Sequence, residues 1–187
     1  MECPSPNLPP TDVHITDEQV EIFQQAVDFW RVQSEQRGVA FEWFAPRLWK
    51  PSEVIIGNGL DTGFGIRPAP GGYELVMTRE REGEDSPTFY SRYDDAVKDV
   101  ARVLGRTFRM DAYEKTWLTW RHRVADGVSR DEVRDGWARY ILESNPSVYC
   151  VIGSYDGNEF NPALTMGIEE FNQAILNDPG ELPPGRR

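Results

Sequence analysis

The chain has 187 residues, of which 39% are apolar and six are tryptophan, and its formal net charge is -11. That length and apolar content predict one packed domain rather than a disordered chain. The acidic balance excludes binding to nucleic acid through phosphate contacts, which needs clustered Lys and Arg. It suits a basic partner, or one whose own site receives an anion, with solubility alone standing beside these as the plainer explanation.

Residues 1–14 read as a Pro-rich, unpacked tail, and its opening "MECPSPNLPP" lacks the basic and apolar segments of a signal peptide. Thr16 with Gln19 three residues on has capping-box spacing, in which each side chain satisfies a free amide. Val20, Phe23, Val27 and Trp30 follow at helical spacing, and Gly38 is a stop. Phe41 and Trp43 alternate with Ala40 and Glu42, which predicts a half-buried strand. Residues 53–57 and 63–67 predict two more strands around "NGLDT", and "PAPGG" is a further turn. "YELVMT" and "TFYS" form the next pair, joined by the charged stretch "REREGEDSP" at residues 79–87.

A second helix is expected from about Asp94, with Ala96, Val97, Val100, Val103 and Leu104 as its apolar stripe and Gly105 as its close. Residues 113–126 read as helical. Ser129 with Glu132 repeats the capping-box spacing and predicts a helix to about Leu142, ended by Asn145-Pro146. Residues 147–153 read as an apolar strand and "SYDGNEFNP" as a turn or hairpin loop. Ile168, Phe171, Ile175 and Leu176 mark a last helix, and residues 179–187 read as a second unpacked tail. The expected fold is α+β: one domain over residues 15–178. Its short strands form an antiparallel meander, packed by an N-terminal helix and by further helices in the C-terminal half.

Chemistry is sparse in this pattern. His14 and His122 are the only histidines, and neither has a partner at metal-ligand spacing, so no metal or cofactor is expected. His122, between two arginines, reads as a surface or helix-packing residue. There is no G-x-S-x-G elbow and no S-x-x-K. Cys150 lies inside an apolar strand and reads as a small buried hydrophobe. Cys3 lies in the tail, so no disulfide joins the two, and a reducing, cytoplasmic setting is expected. No run of 18 apolar residues suggests a membrane span. Gly57, Gly59, Gly63 and Gly65 match neither G-x-G-x-x-G nor a P-loop and read as turn glycines, with Asp61 at the tip free to meet a partner.

The carboxylates of Glu80, Glu82, Glu84 and Asp85 sit on an expected exposed turn, where nothing desolvates them enough for acid–base work. The residues therefore favour a binding protein over an enzyme. Exposed acidic loops suit an Arg-rich pocket. Tyr155 beside Asp156 adds an aromatic of the kind that anchors interfaces. Asp61, Glu84, Asp85, Tyr155 and Asp156 are the candidate partner-binding residues. Trp117, Trp120 and Trp137 read as core on a helix face.

The stretch "FGIRPAPGGYELVMTREREGEDSPTFYSRYDDAVKDVARVLGRTFR", within residues 41–109, resembles an actinobacterial toxin-immunity protein family whose prototype is the antitoxin of tuberculosis necrotizing toxin. The order carrying the resemblance is an amphipathic helix, a strand ending Ile66-Arg67, a Gly72-Tyr73 strand start, a Thr78 to Gly83 hairpin, and a helix reaching Leu104-Gly105. The hairpin departs from the family in carrying Arg-Glu-Gly where Arg-Gly is the pattern, and residues beyond 110 match nothing in it. The resemblance implies a cytoplasmic, non-enzymatic inhibitor that binds a cognate toxin domain, secreted or contact-delivered, and covers its active site. The prototype's toxin cleaves NAD, an anionic dinucleotide, so carboxylates of the inhibitor are expected where the pyrophosphate goes. The residues alone leave two alternatives open: an interaction or ligand-binding module of another target, and a small enzyme with a carboxylate site.

Overall fold

The structure is a computed structural model that describes residues 14–43, 45–50, 52–57, 62–79, 83–84, 87–111 and 117–181. Its first helix, α1 (Asp17–Arg37), begins and ends where its sequence dictates. Thr16 Oγ1 accepts from Gln19 N at 3.2 Å, while Gln19 Oε1 accepts from Thr16 N at 2.9 Å. Gly38 closes the helix in the left-handed region, and Phe23, Val27 and Trp30 form its buried face.

Nine strands follow among the described residues: β1 (Arg47–Lys50), β2 (Glu53–Gly57), β3 (Thr62–Ala69), β4 (Gly72–Arg79), β5 (Gly83–Glu84), β6 (Thr88–Tyr90), β7 (Val128–Arg134), β8 (Trp137–Leu142) and β9 (Tyr149–Gly153). They form one antiparallel sheet in the order β1-β2-β3-β4-β6-β9-β8-β7, with β5 added to β4. Two meanders thus lie side by side and join where β6 meets β9. The register puts one face of the whole sheet in the core: Val54 lies opposite Ile66, Ile66 opposite Leu75, Tyr73 opposite Tyr90, Tyr90 opposite Cys150, and Cys150 opposite Tyr140. One apolar face per antiparallel sheet is the expected outcome of period-two patterning. Helix α2 (Tyr93–Asp111) packs on this face against β3, β4 and β6, flanked by α1 and α4 (Ile168–Asn177). Helix α3 (Ser154–Phe160) and a 3-10 segment (Asn161–Thr165) cover β8 and β9. The α+β meander expected from sequence is the fold. Among the described residues no helix is long and apolar enough to cross a membrane.

Several elements differ from expectation, each for a physical reason. Phe41 and Trp43 lie in irregular chain, and the strand forms instead at Arg47, beyond Pro46, whose nitrogen cannot join a ladder. Trp43 nonetheless packs inward, stacked on Phe64. Helix α2 does not close at Gly105. A Cβ there would lie 2.7 Å from Trp30 Cζ2 and from Ile175 Cγ2, so the glycine serves the close approach of α1 and α4. Residues 128–142 form the β7–β8 hairpin rather than a helix. Asp135-Gly136 is a two-residue hairpin turn, with Gly136 at φ 72° and Arg134 paired with Trp137. "SYDGNEF" is helix α3 rather than a loop.

Residues 112–116 lie outside the described residues. The rest of the expected 113–126 helix is a 3-10 turn, Thr119–His122, after an isolated bridge at Trp117. That bridge pairs Trp117 with Glu181. None of Trp117, Trp120 and Trp137 lies on an α-helix face; Trp137 starts β8. Cys3 lies outside the described residues, and Cys150 is a free, buried thiol.

Replacement Gly105→Val is expected to lower stability by about 1–3 kcal/mol through overpacking against Trp30 and Ile175. Urea unfolding measures it; an unchanged midpoint would show that the helices do not depend on this close approach.

Candidate functional site

The strands end together along one end of the sheet. Gly57 faces Gly63, Thr62 faces Arg79, Arg79 faces Gly83, Leu75 faces Thr88, and Gly153 faces Trp137. The strand ends that flank residues 58–61, 80–82 and 85–86 therefore adjoin one another, and α3 starts at the same end, directly after Gly153. Of the five candidate residues, Asp61 and Asp85 lie outside the described residues. Glu84 is placed by its backbone, opposite Thr78. Tyr155 is exposed on α3, and Asp156 next to it is half-exposed.

Behind this end lies a cleft of about 510 Å³ whose lining includes Met77, Thr88, Arg102, Arg106, Trp137 and Asp156. Its floor is charged. Arg102 is 3% exposed, and its Nε donates to Asp99 Oδ1 at 2.7 Å. Its Nη1 lies 3.1 Å from both Glu159 Oε2 and Asp156 Oδ1. Tyr90 donates its hydroxyl proton to Asp99 Oδ2 at 2.6 Å, and Arg106 Nη1 approaches Glu159 Oε2 at 3.5 Å. Burial alone would lower the Arg102 pKa, but Asp99, Asp156 and Glu159 outweigh it and raise the value, so the guanidinium stays charged. Burial, and next the Asp99 carboxylate, pushes the Tyr90 phenol well up and keeps it neutral. The cleft thus holds one buried cation shared by three carboxylates, and Asp156 carries one of them toward solvent. Such a site can present fixed charge to a partner.

Across α3 is a smaller cavity of about 170 Å³, lined by Trp117, Arg121, His122, Tyr155, Asn158 and Glu159. The Arg121 guanidinium stacks 3.4 Å above the Trp117 ring, and Tyr155 meets the same indole edge to face at 6.1 Å. Trp120 Nε1 donates to the Glu159 carbonyl at 2.9 Å. His122 lies exposed on the rim, as its flanking arginines suggested. Among the described residues no group of three or more His, Cys, Asp or Glu is arranged to hold a metal.

Sequence reasoning singled out Tyr155 and Asp156, which line the small cavity and the cleft, and passed over Asp99, Arg102, Glu159, Trp117 and Arg121 beside them. The pairs Asp95/Lys98 and Asp99/Arg102 repeat an opposite-charge i,i+3 spacing, which on its own reads as a solvated helix face. Lys98 is one of only three lysines in the chain, and its place inside an apolar stripe was the available signal.

No protein-family model and no curated protein matches the chain. The structure is similar to Rv3902c from M. tuberculosis, with a TM-score of 0.62 at 10% sequence identity, over 90% of this chain and 92% of that one. At that identity the likeness shows the fold.

Replacing Arg102 by Met leaves Asp99 and Glu159 buried without their shared cation, and is expected to destabilise the protein by about 3–5 kcal/mol in urea unfolding. A loss below about 1 kcal/mol would mean that the carboxylates find other partners. A second expectation concerns alkaline pH. Cys150 and Tyr90 have raised native pKa values, each chiefly through burial, against ordinary values of 9.0 and 10.0. Above those values the unfolded chain holds fewer protons than the native one, so stability is full below about pH 8.5 and falls as pH rises. The limiting slope is about 1.4 kcal/mol per pH unit per group. Cys150→Ala should delay the onset by about one unit; thermal melts from neutral to alkaline pH read both, and a flat profile would contradict the protonated core.

Proposed function

We propose that the protein is an immunity protein that binds a cognate toxin domain and inhibits it by covering its active site. On this reading Asp61, Glu84, Asp85, Tyr155 and Asp156 are the residues that meet the toxin, with Glu84, Tyr155 and Asp156 at the described sheet end. The observation that carries this reading is the agreement between two independent likenesses. Residues 41–109 resemble the actinobacterial immunity family. Nine-tenths of the chain shares its fold with a protein of M. tuberculosis, the species of the prototype toxin.

The chemistry of the site supports the same reading. The buried acids nearest the cleft, Asp99 and Glu159, sit in hydrogen-bonded pairs with arginine, an arrangement that holds the floor of the site rigid for a partner. The acidic residues at the sheet end suit a toxin pocket built for an anionic dinucleotide such as NAD, where they would form charge-assisted hydrogen bonds. A net charge of -11 speeds encounter with such a pocket and rejects acidic partners. The protein acts in the cytoplasm on this reading, and as a binder rather than a catalyst.

Co-expression with the toxin encoded beside its gene is the test. Rescue of growth and co-elution on gel filtration are expected; no rescue and no complex would overturn the immunity role. The combined variant Asp61→Lys, Glu84→Lys and Asp85→Lys is expected to weaken toxin binding at least tenfold, mainly through a slower on-rate that levels out at high salt. Unchanged affinity would refute the charge mechanism while leaving inhibition itself intact.

A further inference from the structure

The face of the sheet opposite the core carries an apolar patch of its own. Phe89, Val151, Tyr149 and Ile141 adjoin one another across β6, β9 and β8, with Phe89 opposite Val151 and Ile141 opposite Tyr149. The Phe89 and Tyr149 rings stack with centroids 5.6 Å apart. All four side chains are only half-buried, and all four stand outside the apolar core. The solvent face of an antiparallel sheet is ordinarily polar, so a contiguous apolar patch there marks a docking surface.

The charges around the patch say what docks. One row of directly opposed residues crosses six strands: Arg67 on β3, Glu74 on β4, Phe89 on β6, Val151 on β9, Arg139 on β8 and Asp131 on β7. In a chain of net charge -11 this row is neutral, so the protein's own charge repels a second copy least here. Outward from the seam between β6 and β9, the two halves of the row are complementary. Phe89 matches Val151, Glu74 matches Arg139, and Arg67 matches Asp131. A two-fold axis along that seam, parallel to the strands, lays each residue over its complement in the second copy. Displacing the copy by one strand would instead set Arg67 over Arg139, or Glu74 over Asp131, and like charges reject both arrangements. Sheets stacked face to face lie about 10 Å apart, a gap that arginine and glutamate side chains span together.

We propose that the protein forms a two-fold symmetric dimer through this face, with Phe89 and Val151 at its centre and Glu74 paired with Arg139 of the second copy on both sides. The axis keeps the strands of both copies in one direction, so both sheet ends point the same way. The dimer stands apart from the immunity reading and is tested without a toxin, so either can fail alone. Sedimentation equilibrium of the full chain is expected to show a monomer–dimer equilibrium. Glu74→Arg alone and Arg139→Glu alone should each weaken the dimer at least tenfold, because each brings like charges together twice. The double variant should recover most of that loss. Within one chain the two residues are three strands apart, about 14 Å, so recovery reports contact between copies. Urea midpoints confirm that each variant is folded, since both side chains lie on the solvent face. A monomer at every concentration would overturn the proposal and leave the face to a different protein. A dimer that either single reversal leaves intact, or that the double variant fails to restore, would overturn it as well.

Discussion

The structure depends on the buried cations of α2. Arg102 ties this helix to Asp99 on its own surface and to Glu159 on α3, while Tyr90 on β6 closes the group through Asp99. Lys98 does the same one turn earlier: Nζ bonds Asp95 Oδ1 at 2.9 Å and the carbonyls of Ala163 and Met166 at 2.8 and 2.7 Å. Arg109 reaches the carbonyls of Ile175 and Asp178 at 2.9 and 2.8 Å, at the end of α4. That is where a helix leaves its last carbonyls unpaired and favours positive charge. Each cation holds a different later segment, so the C-terminal half is keyed onto α2 at three points along its length.

These keys add direction more than net stability. Burying a charge pair in place of apolar side chains gains little, because desolvation offsets the Coulomb attraction. Breaking one is expensive, and that asymmetry penalises every alternative docking of α3, the 3-10 segment and α4. The apolar face of the sheet would accept a helix in many registers, whereas three cations with matched carbonyls and carboxylates accept one. The cleft at the sheet end inherits its geometry from this choice, since Asp156 and Glu159 are positioned by the same Arg102.

What was legible in the sequence follows from the range of the interactions. The capping box of α1 is local and was read correctly from Thr16 and Gln19. The same spacing at Ser129 and Glu132 misled, because the Asp135-Gly136 turn and the pairing of β8 with β9 outweigh a capping preference. Helix α3 has a loop-like composition. It forms because Asn161 Nδ2 bonds the carbonyls of Gly157 and Asn158 at its end, while Asn161 Oδ1 accepts from Ala125 N 36 residues earlier. A side chain that closes a helix through a distant backbone leaves no periodic trace. Gly105 was misread for a related reason, since its role depends on Trp30 and Ile175 in two other helices. Tyr155 and Asp156 were visible as a polar loop with an aromatic; Arg102 and Arg121 were invisible because only the tertiary fold buries them.

That α3 is a helix rather than a loop also decides how the site works. Successive residues on a helix turn by about 100°, so seven residues supply three separate faces. Gly157 and Phe160 face the core, against Tyr140 and Tyr90. Asp156 and Glu159, three residues apart, meet Arg102 in the cleft. Tyr155, Asn158 and Glu159 line the small cavity, where Asn158 also holds the Tyr140 hydroxyl at 2.8 Å. Helix α3 therefore lies between the cleft and the small cavity, with Asp156 lining the first and Tyr155, Asn158 and Glu159 the second. One carboxylate oxygen of Glu159 is committed to the arginines of α2. A loop of the same composition could expose Tyr155 and Asp156, but it could not also hold Glu159 one helical turn on, so that both carboxylates meet Arg102.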